Sequence, residues 1–243
     1  MVIRLDGKVI FINGVTGAIG EAVARRCSSL GAEVYGTYGK DKPKAEALFK
    51  EKGIKSLSID LAQEKVTQNK IKSLTGAKKI YGLINASGLT IDKPMVRLSE
   101  KDWDDVLNIN LTGVFYLTRS VVPLMTEAGR IINLSSSVGL IGGEGQANYS
   151  SAKAGLSAFT KSLARETAKY RIMVNLVLPG FIPSKMTKKT SQSVREKAKE
   201  ESLTGELLSR EVISDFIVYL LSSYACGITG QVFNIDNRIR RWW

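Results

Sequence analysis

The 243-residue chain contains no histidine. That absence removes Ser-His-Asp and Cys-His nucleophilic machinery and every imidazole-ligated metal centre. Acid–base chemistry near neutral pH then falls to Tyr, Lys, Asp, Glu or Cys. Cysteine is scarce as well. Cys27 and Cys226 lie far apart with no metal-ligand spacing, which reads as two isolated thiols rather than a disulfide framework or a metal site. No apolar run approaches the roughly 20 residues that cross a bilayer. Met1 through Gly7 lead straight into a strand pattern without the layout of a signal peptide. A cytoplasmic protein with no membrane contact is expected.

What is present fits one large globular domain over residues 1–243: 44% of residues are apolar and 24% charged, without a composition shift. The net charge of +12 admits an acidic partner, a phosphorylated ligand or nucleic acid. Part of the excess falls in Lys185, Lys188, Lys189, Arg195, Lys197 and Lys199 and in Arg238, Arg240 and Arg241. No zinc finger, helix-turn-helix or stacking-aromatic signature accompanies it, so a charged surface is favoured over a nucleic-acid site.

Short β-rich runs alternate with helical segments. Strands are expected at Val9–Asn13, Val34–Thr37, Ser56–Ile59, Tyr81–Asn85, Arg130–Ser135, Met173–Leu178 and Gln231–Ile235. Helices are expected at Ile19–Leu30, from Ser99 as N-cap through Phe115, and at Gln146–Tyr170, with lysine-rich helical segments between the early strands. This is the pattern of a doubly wound, mostly parallel α/β sheet of Rossmann type, whose ligands bind at the carboxyl ends of the strands. Phe181–Gly205 stands outside the alternation as a polar, basic lid or loop, and Asn237–Trp243 as a tail.

Two local patterns carry chemistry. Asn13-Gly-Val-Thr-Gly-Ala-Ile-Gly20 follows the first strand and opens the first helix, where glycines let the backbone approach a phosphate and the helix presents free amides. Tyr149 and Lys153 lie four apart on one helical face, and the lysine charge is expected to lower the tyrosine pKa. Tyr38 and Lys42 share that spacing, but they straddle a strand end and a Pro43-led segment. Ser136, after the strand that ends before this helix, is placed to bond a carbonyl, with Ser135 and Ser137 adjacent alternatives.

In combination these motifs resemble the short-chain dehydrogenases/reductases over nearly the whole chain. Gly14–Gly20 looks like that family's cofactor loop, Asn85-Ala-Ser-Gly88 like its Asn-Asn-Ala-Gly element, and Pro179-Gly-Phe-Ile182 like the segment around the nicotinamide. Asn110, Ser136, Tyr149 and Lys153 fall on its catalytic tetrad. The resemblance implies that Ser136 orients a carbonyl and Tyr149 passes the proton. Lys153 would hold the ribose, and Asn110 would anchor a water of a proton relay. Expected cofactor contacts are Gly14, Thr16, Gly17, Ile19, Gly20, Thr37, Lys40, Asp60, Leu61, Asn85, Ala86, Tyr149, Lys153, Pro179, Gly180 and Ile182.

Thr37-Tyr-Gly-Lys40 offers hydroxyls and a cation where an acidic residue would repel a 2′-phosphate, which favours NADPH over NADH. Gly17, where many NADPH-preferring members carry a basic residue, argues the other way. Gly-Gln-Ala-Asn-Tyr149, Ser-Ala-Lys153-Ala-Gly-Leu and Ser-Leu-Ala-Arg-Glu166 resemble the 3-oxoacyl-(acyl-carrier-protein) reductases. That likeness implies reduction of a β-keto thioester by a tetramer and an acidic acyl carrier protein as partner, with Lys169 and Arg171 as candidate contacts. A dehydrogenase of another secondary alcohol, sugar or cyclic ketone and a non-catalytic scaffold are the alternatives. The chain departs from the pattern at Ala18, Ala86, Ser184-Lys185, around Ser202–Leu208, and at Asp236-Asn-Arg238, where the family carries Asp-Gly-Gly.

Overall fold

The computed structural model describes residues 2–59, 64–76, 78–184, 187 and 192–239. In chain order its elements are β1 (Val9–Asn13), α1 (Ala18–Ser29), β2 (Glu33–Tyr38), α2 (Lys42–Lys52), β3 (Lys55–Ser58), α3 (Glu64–Thr75), β4 (Ile80–Asn85), α4 (Glu100–Leu107), α5 (Gly113–Val121), β5 (Met125–Leu134), α6 (Val138–Ile141), α7 (Ala147–Thr167), β6 (Met173–Pro179), α8 (Gln192–Glu200), α9 (Arg210–Leu221) and β7 (Val232–Ile235). All seven strands are parallel, in the order β3-β2-β1-β4-β5-β6-β7.

Strands β1 and β4 are buried along their whole length, β5 from Gly129 onward and β6 from Val174 to Leu178, because helices cover both sheet faces. Successive side chains of β1 point to opposite sides. Ile10 and Ile12 join Val23 and Cys27 of α1 and Ile213, Ile217 and Leu221 of α9, while Phe11 joins Ile71 of α3, Leu117 of α5 and Leu163 of α7. Cys27 is buried, which pushes its thiol up to about 12, and both cysteines are free. Helix α9 was not expected from the sequence. It is capped by Ser209, whose side chain accepts from the Val212 amide. Helix α8 likewise interrupts the expected 181–205 loop.

The long helix expected from Ser99 through Phe115 is broken by a π-helical turn at Asn108–Thr112. The Asn110 side-chain amide donates to the Val106 carbonyl at 2.8 Å, the group an α-helix would offer to the backbone N–H of residue 110. The same side chain reaches Leu89, which ties the turn to the segment after β4.

Candidate active site

The strand order reverses between β1 and β4, and the crevice at their carboxyl ends is the ligand position of open α/β sheets. Asn13 closes β1 and donates from Nδ2 to Ser87 Oγ at 2.8 Å, while the Ala86 amide donates to the Asn13 carbonyl at 3.0 Å. The loop between them runs so close to the β4 end that a side chain at Gly14 would put Cβ 2.8 Å from Ser87 Cα, and Gly14 has φ +80°. Gly17 is the N-cap of α1 and supplies no side-chain cap, so the first amides of that helix are left to an external acceptor. This is a cradle that fits a diphosphate.

Thr37 is buried; its hydroxyl donates to Asn13 Oδ1 at 2.8 Å and accepts from the Gly14 amide at 3.3 Å. It therefore holds the loop from beneath. Lys40 is exposed just beyond β2. Asp41 follows it as the N-cap of α2, where its side chain accepts from the Lys44 amide. Asp60 and Leu61 lie outside the described residues. Asn85 is buried and donates to Asn133 Oδ1 at 2.8 Å and Thr118 Oγ1 at 3.2 Å, and Asn133 donates to Thr160 Oγ1 at 2.9 Å. These bonds form a polar ladder joining the sheet to α5 and α7.

The three serines after β5 point to different partners. Ser135 is buried and donates to the Lys153 carbonyl at 2.8 Å, fastening β5 to α7. Ser136 hydrogen-bonds the Tyr149 side chain, and Ser137 opens α6. Tyr149 and Lys153 share one face of α7, with Lys153 Nζ 5.6 Å from the Tyr149 ring centre. Lys153 is buried and donates to the Leu134 carbonyl at 3.0 Å. Its burial pulls the ammonium down to about 8.

The expected lowering of the Tyr149 pKa by Lys153 is overturned. Burial pushes the Tyr149 phenol up to about 12, the Asp92 carboxylate adds to that rise, and the Ser136 bond only opposes it. Desolvation of the phenolate outweighs the neighbouring dipole. The second pair separates as read, since Tyr38 ends β2 and Lys42 opens α2.

Two residues beside Tyr149 take structural roles that the sequence did not reveal. Asn148 is buried and donates to the Ile91 and Asp102 carbonyls, each at 3.2 Å, and Gln146 donates to Asp92 Oδ2 at 3.0 Å. With the Lys93 amide on the Gly145 carbonyl at 2.8 Å, they stitch the segment after β4 to the start of α7. A glutamine directly before α7 and an asparagine in its first turn were the available signal.

Pro179 ends β6, the Gly180 amide donates to the Ile235 carbonyl at 2.8 Å, and Ile182 is buried in the core. Lys169 and Arg171 lie elsewhere. Tyr149 is in the first turn of α7, and the 18 residues to its end rise about 27 Å. Both basic residues therefore sit at the amino edge of the sheet, away from the tyrosine of the same protomer. Among the described residues there is no cluster of His, Cys, Asp or Glu suited to a metal ion, and no helix is long and apolar enough to cross a membrane.

A doubly wound sheet with a diphosphate cradle at its switch point and a Ser–Tyr–Lys cluster one strand away defines a Rossmann-type oxidoreductase. A family model described as enoyl-(acyl carrier protein) reductase matches residues 14–237, and the chain belongs to the short-chain dehydrogenase/reductase family. It is 39% identical to a 3-oxoacyl-(acyl-carrier-protein) reductase of Aquifex aeolicus over 97% of this chain and 98% of that protein. It is 38% identical to nodulation protein G of a Rhizobium species over 96% and 97%. A dehydrogenase/reductase crystal structure from Sinorhizobium meliloti superposes with a TM-score of 0.90 at 28% identity, covering 97% of this chain and 96% of that one.

Proposed function

We propose that the protein is an NADPH-dependent reductase of 3-oxoacyl thioesters, on acyl carrier protein or coenzyme A, to 3-hydroxyacyl thioesters. The observation that carries this reading is the placement of Ser136, Tyr149 and Lys153 at the carboxyl end of β5, beside the Gly14–Gly20 cradle. The relatives' identity to 3-oxoacyl-(acyl-carrier-protein) reductases supports the substrate class. Lys40, exposed after β2, and Asp41, engaged in capping α2, support NADPH over NADH. Residues 1–243 act as one domain of a cytoplasmic homotetramer, with 181–209 over the substrate and 237–243 as a C-terminal tail. Exposed Trp103, Ile109 and Phe115 along α4, the π-turn and α5 support assembly of copies.

The reduced nicotinamide, when bound, supplies the hydride. Amides of Thr16, Gly17 and Ile19 would hold the diphosphate, Lys40 the 2′-phosphate, and Pro179, Gly180 and Ile182 the nicotinamide end. Ser136 donates to the substrate carbonyl, and Tyr149 delivers its phenolic proton to the developing alkoxide. With its phenol pushed up to about 12, Tyr149 holds its proton at neutral pH, and the Lys153 charge offsets the weakness of so basic a phenol as a donor. Lys153 places a cation beneath the tyrosine and stabilises the phenolate left behind. Asn110 is a positioning residue that holds the π-turn against Leu89.

Purified protein with NADPH and acetoacetyl thioesters is expected to consume NADPH and form the 3-hydroxy product. No turnover of any 3-oxo thioester overturns the substrate assignment. The pH dependence follows from Lys153, whose cationic form exists below its pKa. The kcat/KM for reduction is therefore expected to be level below pH 7 and to fall as the pH passes through about 8. A profile flat to pH 10 contradicts this. Lys153→Met should lose the descending limb together with about a hundredfold in kcat/KM at pH 7.

A further inference from the structure

The departure at Asp236-Asn-Arg238 has a physical role in this chain. Asp236 follows β7, and its side chain is 1% exposed. The Arg238 guanidinium, 9% exposed, grips it in a fork, with Nε 2.9 Å from Oδ1 and one terminal nitrogen 2.7 Å from Oδ2. The other terminal nitrogen lies 3.9 Å from Glu201 Oε2, just beyond α8. Asn237 works alongside. Its backbone carbonyl accepts from the Leu203 amide at 2.9 Å, and its Nδ2 donates to Thr204 Oγ1 at 2.9 Å and to the Glu206 carbonyl at 2.7 Å.

Asp236 also meets the start of the excursion between β6 and α9. The Asp236 carboxylate lies against Gly180 so closely that a Cβ there would stand 2.9 Å from Oδ1. Residues 236–238 thus touch both ends of the excursion, 179–180 where it leaves the carboxyl edge of the sheet and 201–206 where it returns. Two glycines at 237 and 238 would supply neither the guanidinium fork nor the carboxamide bridge. A buried, bidentate Arg–Asp pair is a rigid device, and it is spent here on a segment that borders the site.

We propose that Asn237 and Arg238 are positioning residues that clasp residues 201–206, the returning end of the excursion after β6, and thereby set the shape of the pocket for the acyl substrate. Asn237 and Arg238 engage the returning end at 201–206, while Asp236, which packs on Gly180 beside the proposed nicotinamide end, is unchanged in the variants below. The clasp rests on the reductase reading for its kinetic consequence but not for its structural one.

The test compares the wild type with Asn237→Gly/Arg238→Gly, with Asn237→Gly alone and with Arg238→Lys. Trypsin cleavage at Arg195, Lys197 and Lys199 of α8 is followed by mass spectrometry. Cleavage in the double variant is expected to be about tenfold faster, since the side-chain bonds that hold residues 201–206 just after α8 are lost. The KM for acetoacetyl thioester should rise about tenfold, with NADPH affinity and kcat nearly unchanged, and Arg238→Lys should fall between. A variant with wild-type thermal unfolding, cleavage and KM overturns the clasp, as does one that loses NADPH affinity in step with KM. Should the double variant not fold, Asn237→Gly, which leaves the Arg–Asp fork intact, decides by the same two readouts. If the wild type turns over no 3-oxo thioester, the reductase reading fails while the cleavage measurement still decides the clasp.

Discussion

Tyr149→Phe is expected to lower kcat for carbonyl reduction by about 10³-fold, in the middle of the range for loss of a general acid, while leaving NADPH affinity and thermal stability close to wild type. The change removes one hydroxyl from a half-buried ring and leaves the packing of α7 intact. Lys153 keeps its bond to the Leu134 carbonyl at 3.0 Å and Ser135 its bond to the Lys153 carbonyl at 2.8 Å, so the helix stays fastened to β5. The Ser136 hydroxyl loses its phenolic partner but remains free to orient a carbonyl. Steady-state kinetics with a fluorescence titration of NADPH separates these effects. Retention of more than about a tenth of wild-type kcat, against the 10²–10⁴-fold range for a lost acid, would mean that the proton comes from elsewhere.

Gly14→Ala is expected to weaken NADPH binding by about a hundredfold, because displacing the loop by about 1 Å misplaces every amide meant for the diphosphate. Two costs combine. Residue 14 has φ +80°, a conformation that costs a side chain about 1–3 kcal/mol. The new methyl also meets backbone rather than a movable side chain, with Ser87 Cα and N both 2.8 Å away. The loop must therefore move, or the end of β4 must. Some loss of stability, on the order of 2 kcal/mol, should accompany the change. Because kcat at saturating NADPH depends on the β5 and α7 residues, it should fall much less than affinity. An NADPH affinity within about threefold of wild type, where a 1 Å shift predicts far more, would show that the loop does not cradle the cofactor.

Most strands were legible as short apolar runs bounded by turn residues, and β1 (Val9–Asn13) starts and stops where the pattern says, whereas β3 (Lys-Ser-Leu-Ser) has a single apolar residue and β5 starts at Met125, five residues before the expected Arg130. The Tyr149–Lys153 face was equally plain, since four-residue spacing on a helix needs only local geometry. What the sequence did not reveal was mostly tertiary. Asn-Ile-Asn-Leu-Thr has nothing local to break a helix; the π-turn arises because Asn110 bonds to Leu89, 21 residues away. Spacing placed the Lys153 charge near Tyr149 but carried no information on burial, which reversed the direction of the pKa shift. Helix α9 is different, because Ser209 and the apolar positions Ile213, Ile217, Leu220 and Leu221 were readable signals masked by the polar stretch before them. Lys169 and Arg171 flank the end of α7 as their sequence positions indicate, and the length of that helix sets them far from Tyr149.

Transfer of a labelled hydride tests the central claim most directly. The protein is incubated with NADPH deuterated on the transferred face of nicotinamide C4 and with an acetoacetyl thioester, and the product is examined by mass spectrometry. The expected result is a 3-hydroxybutyryl thioester carrying one deuterium at C3, formed by the wild type and nearly abolished in Tyr149→Phe. A 3-hydroxy product formed equally well by both proteins, or no labelled product from either, would contradict the assignment of Tyr149 as the proton donor of a nicotinamide-dependent carbonyl reductase.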